Sequence, residues 1–73
     1  MPKLNIAAET AGTVWKVTAQ IGDQVGVDDP VVILESMKME IPVTSEKPGV
    51  VTQIFVKEGE TIEEGTLVAE ITV

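Results

Sequence analysis

Val31-Val32-Ile33-Leu34-Glu35-Ser36-Met37-Lys38-Met39-Glu40-Ile41-Pro42-Val43-Thr44 is the stretch that decides the fold. Two β-branched apolar runs, Val31 to Leu34 and Ile41 to Thr44, flank a short polar seam with a lysine bracketed by methionines. Runs of this kind joined by so few residues predict a tight β-hairpin with Lys38 at its tip. A lone exposed lysine is an ordinary surface residue, and methionine is an ordinary strand residue. The rest of the chain must therefore decide what this hairpin is for.

Working outward, the pattern stays β throughout. Lys3 to Ala8 alternates, Glu9 to Gly12 reads as a turn with Gly12 free to take positive φ, and Trp15, Val17, Ala19 and Ile21 alternate with polar residues. That alternation predicts one half-buried strand running from Trp15 to Ile21. Turns are expected at Gly22-Asp23, Asp28-Pro30, Lys47-Gly49, Glu58-Gly59 and Glu64-Gly65. Short strands are expected at Val25 and Ile62, and longer ones over 50–56 and 67–72. No window carries a helical apolar period, so the fold class is all-β.

The two halves of the chain repeat. A shift of 37 residues lays Gly12 on Gly49, Val17 on Ile54, Gly22 on Gly59, Val25 on Ile62 and Leu34 on Ile71. Glycines coincide at turns and apolar residues on strands, so each half is the same supersecondary unit. One unit cannot bury its apolar face alone. Two packed face to face make a flattened β-barrel or sandwich of two quasi-symmetric four-stranded halves. The same shift puts the Lys38 hairpin at one end and both chain termini near the other.

Composition narrows the function. Residues 1–73 make one small domain, with neither cysteine nor histidine. Disulfides, thiolate zinc sites, thiol nucleophiles and histidine bases are thereby excluded within the chain. Five lysines against twelve acids give a net charge of −7, so phosphate backbones and anionic lipid would repel it; no nucleic acid and no membrane partner is expected. No apolar run approaches the ~20 residues of a membrane span. An unstapled chain of this kind is expected in the cytoplasm. The acids form no calcium-type ladder, and so small a sandwich offers little cleft for paired carboxylates. No catalytic residue and no metal ligand is expected.

Glu35-Ser36-Met37-Lys38-Met39-Glu40, in the middle of a two-fold repeated all-β chain, resembles the attachment sequence of the biotinyl/lipoyl domain family. Ala11-Gly12-Thr13-Val14 is similar to the family's opening Pro-Gly-Thr/Ile-Val. Gly22-Asp23-Gln24-Val25 and Gly59-Glu60-Thr61-Ile62 are similar to its paired Gly-Asp-x-Val turns, and Pro48-Gly49-Val50-Val51 resembles the start of its second half. The resemblance covers nearly the whole chain and is closest to free-standing biotin/lipoyl attachment proteins and to biotin carboxyl carrier domains.

It implies a barrel-sandwich hybrid that presents Lys38 for covalent biotinylation, with Met37 and Met39 as flanking recognition residues and Glu35 and Glu40 beside them. Tethered biotin would carry CO2 between the biotin carboxylase and carboxyltransferase sites of a biotin-dependent carboxylase, the domain itself being no enzyme. Lysine suits the task through its long unbranched stem and an amine that forms a durable amide. Flanked by Glu35 and Glu40, that amine has no residue to activate it, so a biotin protein ligase must supply activated biotin.

Lipoate on the same lysine is the alternative cofactor, although lipoyl lysines usually follow Asp and precede Ala or Val. An unmodified barrel-sandwich interaction module is a further alternative, and it leaves Met-Lys-Met without a purpose. The chain departs from the family at Thr10 and Ala11, where Met and Pro are usual, and at Ser36, where Ala is commoner. Asp28 replaces a glycine that the repeat partner Gly65 retains, which predicts positive φ at Asp28. Between Val14 and Gly22 there is no room for the protruding thumb of some carboxylase carriers.

Overall fold

β-branched and aliphatic residues recur at alternate positions and glycine or aspartate at the reversals, and the computed structural model, which describes residues 2–73, turns that pattern into eight strands. They are β1 Lys3–Ala7, β2 Gly12–Val17, β3 Gln24–Val25, β4 Pro30–Ser36, β5 Met39–Thr44, β6 Gly49–Ile54, β7 Thr61–Ile62 and β8 Leu67–Thr72. No helix occurs among the described residues. Two antiparallel four-stranded sheets result, in the orders β1-β8-β6-β3 and β5-β4-β2-β7.

The sandwich is the flattened, quasi-two-fold architecture expected, with one refinement. Neither half of the chain makes a sheet by itself. Each sheet takes two strands from the first half and two from the second, so the halves interlock rather than stack. The repeat still relates every part: β1 corresponds to β5, β2 to β6, β3 to β7 and β4 to β8, and the operation exchanges the sheets.

The core follows the same symmetry. Val14 and Val51, Leu34 and Ile71, Val31 and Val68, Val32 and Ala69, Ile6 and Val43, Ala19 and Val56, and Val25 and Ile62 are all buried as pairs. Burying an aliphatic side chain of this size stabilises by roughly 1.5–3 kcal/mol before chain entropy is counted. Ala8 and Ser45 form the remaining pair, and Ser45, though buried, has its hydroxyl bonded to the Lys47 carbonyl.

Turn chemistry repeats too. Asp23 Oδ2 accepts from the Gln20 N–H at 2.9 Å, as Glu60 Oε1 does from Lys57 at 3.0 Å. Asp29 Oδ2 accepts from Gly26 at 2.7 Å, and Thr66 Oγ1 from Glu63 at 3.2 Å. The turn residues at Gly22, Gly59 and Gly65 have positive φ, and so does Asp28 at 69°, as the repeat predicted.

Three expectations are corrected. Gly12 lies in β2 without positive φ; its lack of a side chain serves a close approach. A Cβ there would sit 2.9 Å from the Glu35 carbonyl oxygen, and one at Gly49 would sit 2.5 Å from that of Thr72. The predicted strand from Trp15 to Ile21 ends at Val17, and the one over 50–56 ends at Ile54.

The third correction concerns Trp15, which faces outward. The β2–β4 register slips between Val14 and Lys16, so Trp15 is the extra residue of a β-bulge and the alternation breaks there. Thr52 is the matching bulge in β6, and Val31 and Val68 are extra residues where β4 meets β5 and β8 meets β1. Bulges at Val31 and Val68 explain how two successive residues on each of those strands are buried.

The sandwich does not close into a barrel. Between the edge strands β1 and β5 runs a groove of about 150 Å³, lined by Leu4, Ile6, Ile41 and Val43 with Glu9 and Glu46 at its rim. Pro42 sits on β5, an edge strand where its missing N–H leaves no ladder bond broken.

Candidate functional site

The hairpin that the sequence centred on Lys38 joins β4 to β5 through two residues, Met37 and Lys38, closed by the Ser36–Met39 pair. A two-residue loop that follows the right-handed twist of its strands needs positive φ at both positions, which is why such loops favour Asn-Gly. Here Met37 has φ 51° and Lys38 φ 64°. Neither residue is a glycine, an asparagine or an aspartate, and each such conformation costs roughly 1–2 kcal/mol. The tip is therefore strained for the sake of the side chains it carries. Strain of this kind, held by a rigid ladder on either side, is a mark of a functional site.

Exposure agrees. Met37 is 90% exposed, more than any other large apolar side chain among the described residues, and Met39 is 60% exposed. Lys38 is exposed between them. Among the described residues the ion pair present is Lys3–Glu70, on the other sheet, so Lys38 Nζ is not engaged by a carboxylate. Glu35 and Glu40 stand directly opposite each other one rung below the tip, an unfavourable like-charge pair. The hairpin thus gathers all five residues the sequence singled out: Glu35, Met37, Lys38, Met39 and Glu40.

The chemical capacity of this arrangement is narrow. A primary amine on a flexible stem stands exposed at the tip, outside the groove between β1 and β5. Among the described residues no group of three or more His, Cys, Asp or Glu is placed to hold a metal ion. The geometry presents a side chain.

Residues 2–71 match the model of the family described as "Biotin-requiring enzyme", the biotin/lipoyl domain. The chain belongs to the biotin/lipoyl attachment family. Over 94% of its length it is 39% identical to the "Biotin/lipoyl attachment protein" of Bacillus subtilis (strain 168), covering 94% of that protein. It is 43% identical to the "Biotinylated protein TB7.3 homolog" of Mycobacterium leprae (strain TN), over 93% of this chain and 96% of that one. Among solved structures, the Kluyveromyces lactis urea carboxylase contains a region that superimposes with a TM-score of 0.93 at 39% identity, spanning 99% of this chain and 6% of that one. A biotin/lipoyl domain of this kind is a carrier and not itself a catalyst.

The sequence did not reveal the left-handed conformation of Met37 and Lys38, because neither residue type announces it. The available signal was the count: two residues between strands leave almost no other loop.

Proposed function

We propose that residues 1–73 are a single biotinyl domain in which Lys38 is the covalent attachment point of biotin, serving a biotin-dependent carboxylase. The observation that carries this reading is the strained two-residue tip, where Met37 and Lys38 hold positive φ that Asn-Gly would adopt at lower cost. An amide between Lys38 Nζ and the carboxyl of biotin needs an exposed amine and open space, and the tip offers both. When attached, biotin supplies a ureido nitrogen that takes up and releases a carboxyl group.

The chain's own contribution is mechanical. The β4–β5 ladder fixes the base of the hairpin, the two-residue loop fixes where the lysine stem departs, and the stem's rotatable bonds give reach. Glu35 and Glu40 leave the amine without an activating neighbour, so a biotin protein ligase delivers biotin as a mixed anhydride. Biotin carboxylase and carboxyltransferase components are the partners that the loaded arm visits. Methionine on both sides of Lys38 favours biotin over lipoate, whose lysine usually follows Asp.

Incubation of the purified chain with a biotin protein ligase, biotin and ATP should raise its intact mass by one biotinyl group, located on Lys38 by peptide mapping. Lys38→Arg should take up no biotin while its circular dichroism is unchanged, because a guanidinium is not the ligase's nucleophile. Label in that variant, or label on Lys3, Lys16, Lys47 or Lys57 of the parent chain, would overturn the assignment.

A further inference from the structure

The quasi-two-fold axis makes the two outer sheet faces equivalent in backbone, so differences between them are not required by folding. On the β1-β8-β6-β3 sheet the outward positions are Lys3, Asn5, Thr52, Gln53, Glu70 and Thr72, and Lys3 and Thr52 both bond Glu70. Lys3 Nζ lies 3.6 Å from Glu70 Oε1, and Thr52 Oγ1 donates to that carboxylate at 3.0 Å. The corresponding positions on the other sheet are Glu40, Pro42, Trp15, Lys16, Ile33 and Glu35.

There the register sets Pro42 opposite Ile33, and Ile33 opposite Lys16 beside the bulged Trp15, forming one apolar row across three strands. Trp15, which Lys16 overlies at 5.2 Å, is 44% exposed. Two rungs nearer the tip, Glu35 faces Glu40 where the quasi-equivalent pair is Thr72 facing Lys3. Lys3, which pairs with Glu70 on the polar face, has Glu40 as its counterpart here, and Lys16 on this face lies over Trp15 and pairs with neither carboxylate among the described residues.

We infer that the outer face carrying Trp15, Ile33 and Pro42 is the surface on which the ligase that acylates Lys38 docks, through an apolar patch flanked by lysine or arginine that pairs with Glu35 and Glu40. The inference rests on the reading of Lys38 as the attachment site. Continuity selects this occupant: the row runs from Trp15 on β2 onto β4 and β5, the two strands that form the lysine hairpin, and its Ile33–Pro42 pair lies three rungs below the Ser36–Met39 pair that closes the Lys38 loop. Charge complementarity selects the flanks, since two unpaired carboxylates facing each other are relieved by a cation from a partner. Trp is also the residue type most enriched among energetically dominant interface contacts.

The test is steady-state biotinylation by a biotin protein ligase with the carrier chain as varied substrate. Trp15→Thr, which installs the residue of the polar face, should raise KM for the carrier at least tenfold with kcat unchanged. Glu35→Gln with Glu40→Gln should raise KM several-fold and flatten its dependence on ionic strength. Asn5→Ala and Gln53→Ala, on the opposite face, should change neither constant. If the Trp15 variant does not fold, Thr13→Lys, which adds like charge for the partner's flank beside Glu35, should raise KM in the same way.

A wild-type KM in Trp15→Thr or Thr13→Lys, with Lys38 labelled normally, overturns the docking face and leaves the attachment site standing. A parent chain that takes no label at Lys38 overturns both. Sedimentation of the unmodified chain as a dimer that Trp15→Thr dissociates would also overturn the inference, by assigning the face to a second copy.

Discussion

The first half of the chain, β1 to β4, and the second, β5 to β8, agree inside the molecule and diverge outside it. Val14 and Val51, or Leu34 and Ile71, occupy equivalent buried places. Trp15 and Thr52, or Ile33 and Glu70, occupy equivalent outward-facing places with opposite chemistry, Trp15 exposed and the other three half-buried. The greatest divergence is at the ends. After β4 the chain turns through Met37 and Lys38 into β5, whereas beyond β8 the Val73 N–H bonds the Pro2 carbonyl at 3.0 Å, beside the start of β1. The core answers to packing, which the two-fold axis makes identical; the surface answers to partners, which the axis does not govern.

If packing is shared, core truncations should be equivalent. Leu34→Ala and Ile71→Ala are each expected to destabilise by ~2–5 kcal/mol, a large part of the stability of so small a domain, and to agree within about 1 kcal/mol. Urea unfolding monitored by circular dichroism checks this, and a gap well beyond that spread would show that the halves carry unequal loads.

Glycine at the strand crossings refines the comparison. Gly49→Ala brings a Cβ to 2.5 Å from a backbone oxygen, against 2.9 Å for Gly12→Ala, and backbone yields less easily than a side-chain tip. Gly49→Ala should lower stability by roughly 2 kcal/mol and Gly12→Ala by about half as much. Thermal midpoints that reverse this order would mean the second half relaxes more readily than the first.

The smallest effect lies where one half keeps glycine and the other does not. Asp28 holds φ 69° where Gly65 holds 87°, and among the described residues no hydrogen bond to its carboxylate secures it. Asp28→Gly should raise stability by about 0.5 kcal/mol, relief of left-handed strain being partly offset by the looser unfolded chain. A fall in the thermal midpoint would show that the aspartate contributes something the glycine cannot.

Much of this was legible in the sequence. β-branched runs named the strands, glycine and aspartate named the turns, and the 37-residue shift paired the halves and put Asp28 in the left-handed region. The hairpin and its five candidate residues were found where the pattern placed them. Trp15 was misread as inward because alternation is a local rule, while a bulge is set by the register of the partner strand β4. Gly12 was misread as a turn glycine because its reason, the carbonyl of Glu35, lies far along the chain.

The sequence by itself determined the all-β class, the order of strands and turns, the internal repeat and the presentation of Lys38, because each rests on neighbours within a few residues. Only the tertiary structure decided which sheet each strand joins, which glycines relieve close contacts, how Met37 and Lys38 are strained into a two-residue tip, and which sheet face is left apolar. Those depend on pairing between residues distant in the chain, where hydrogen-bond register and the two-fold axis override local preference.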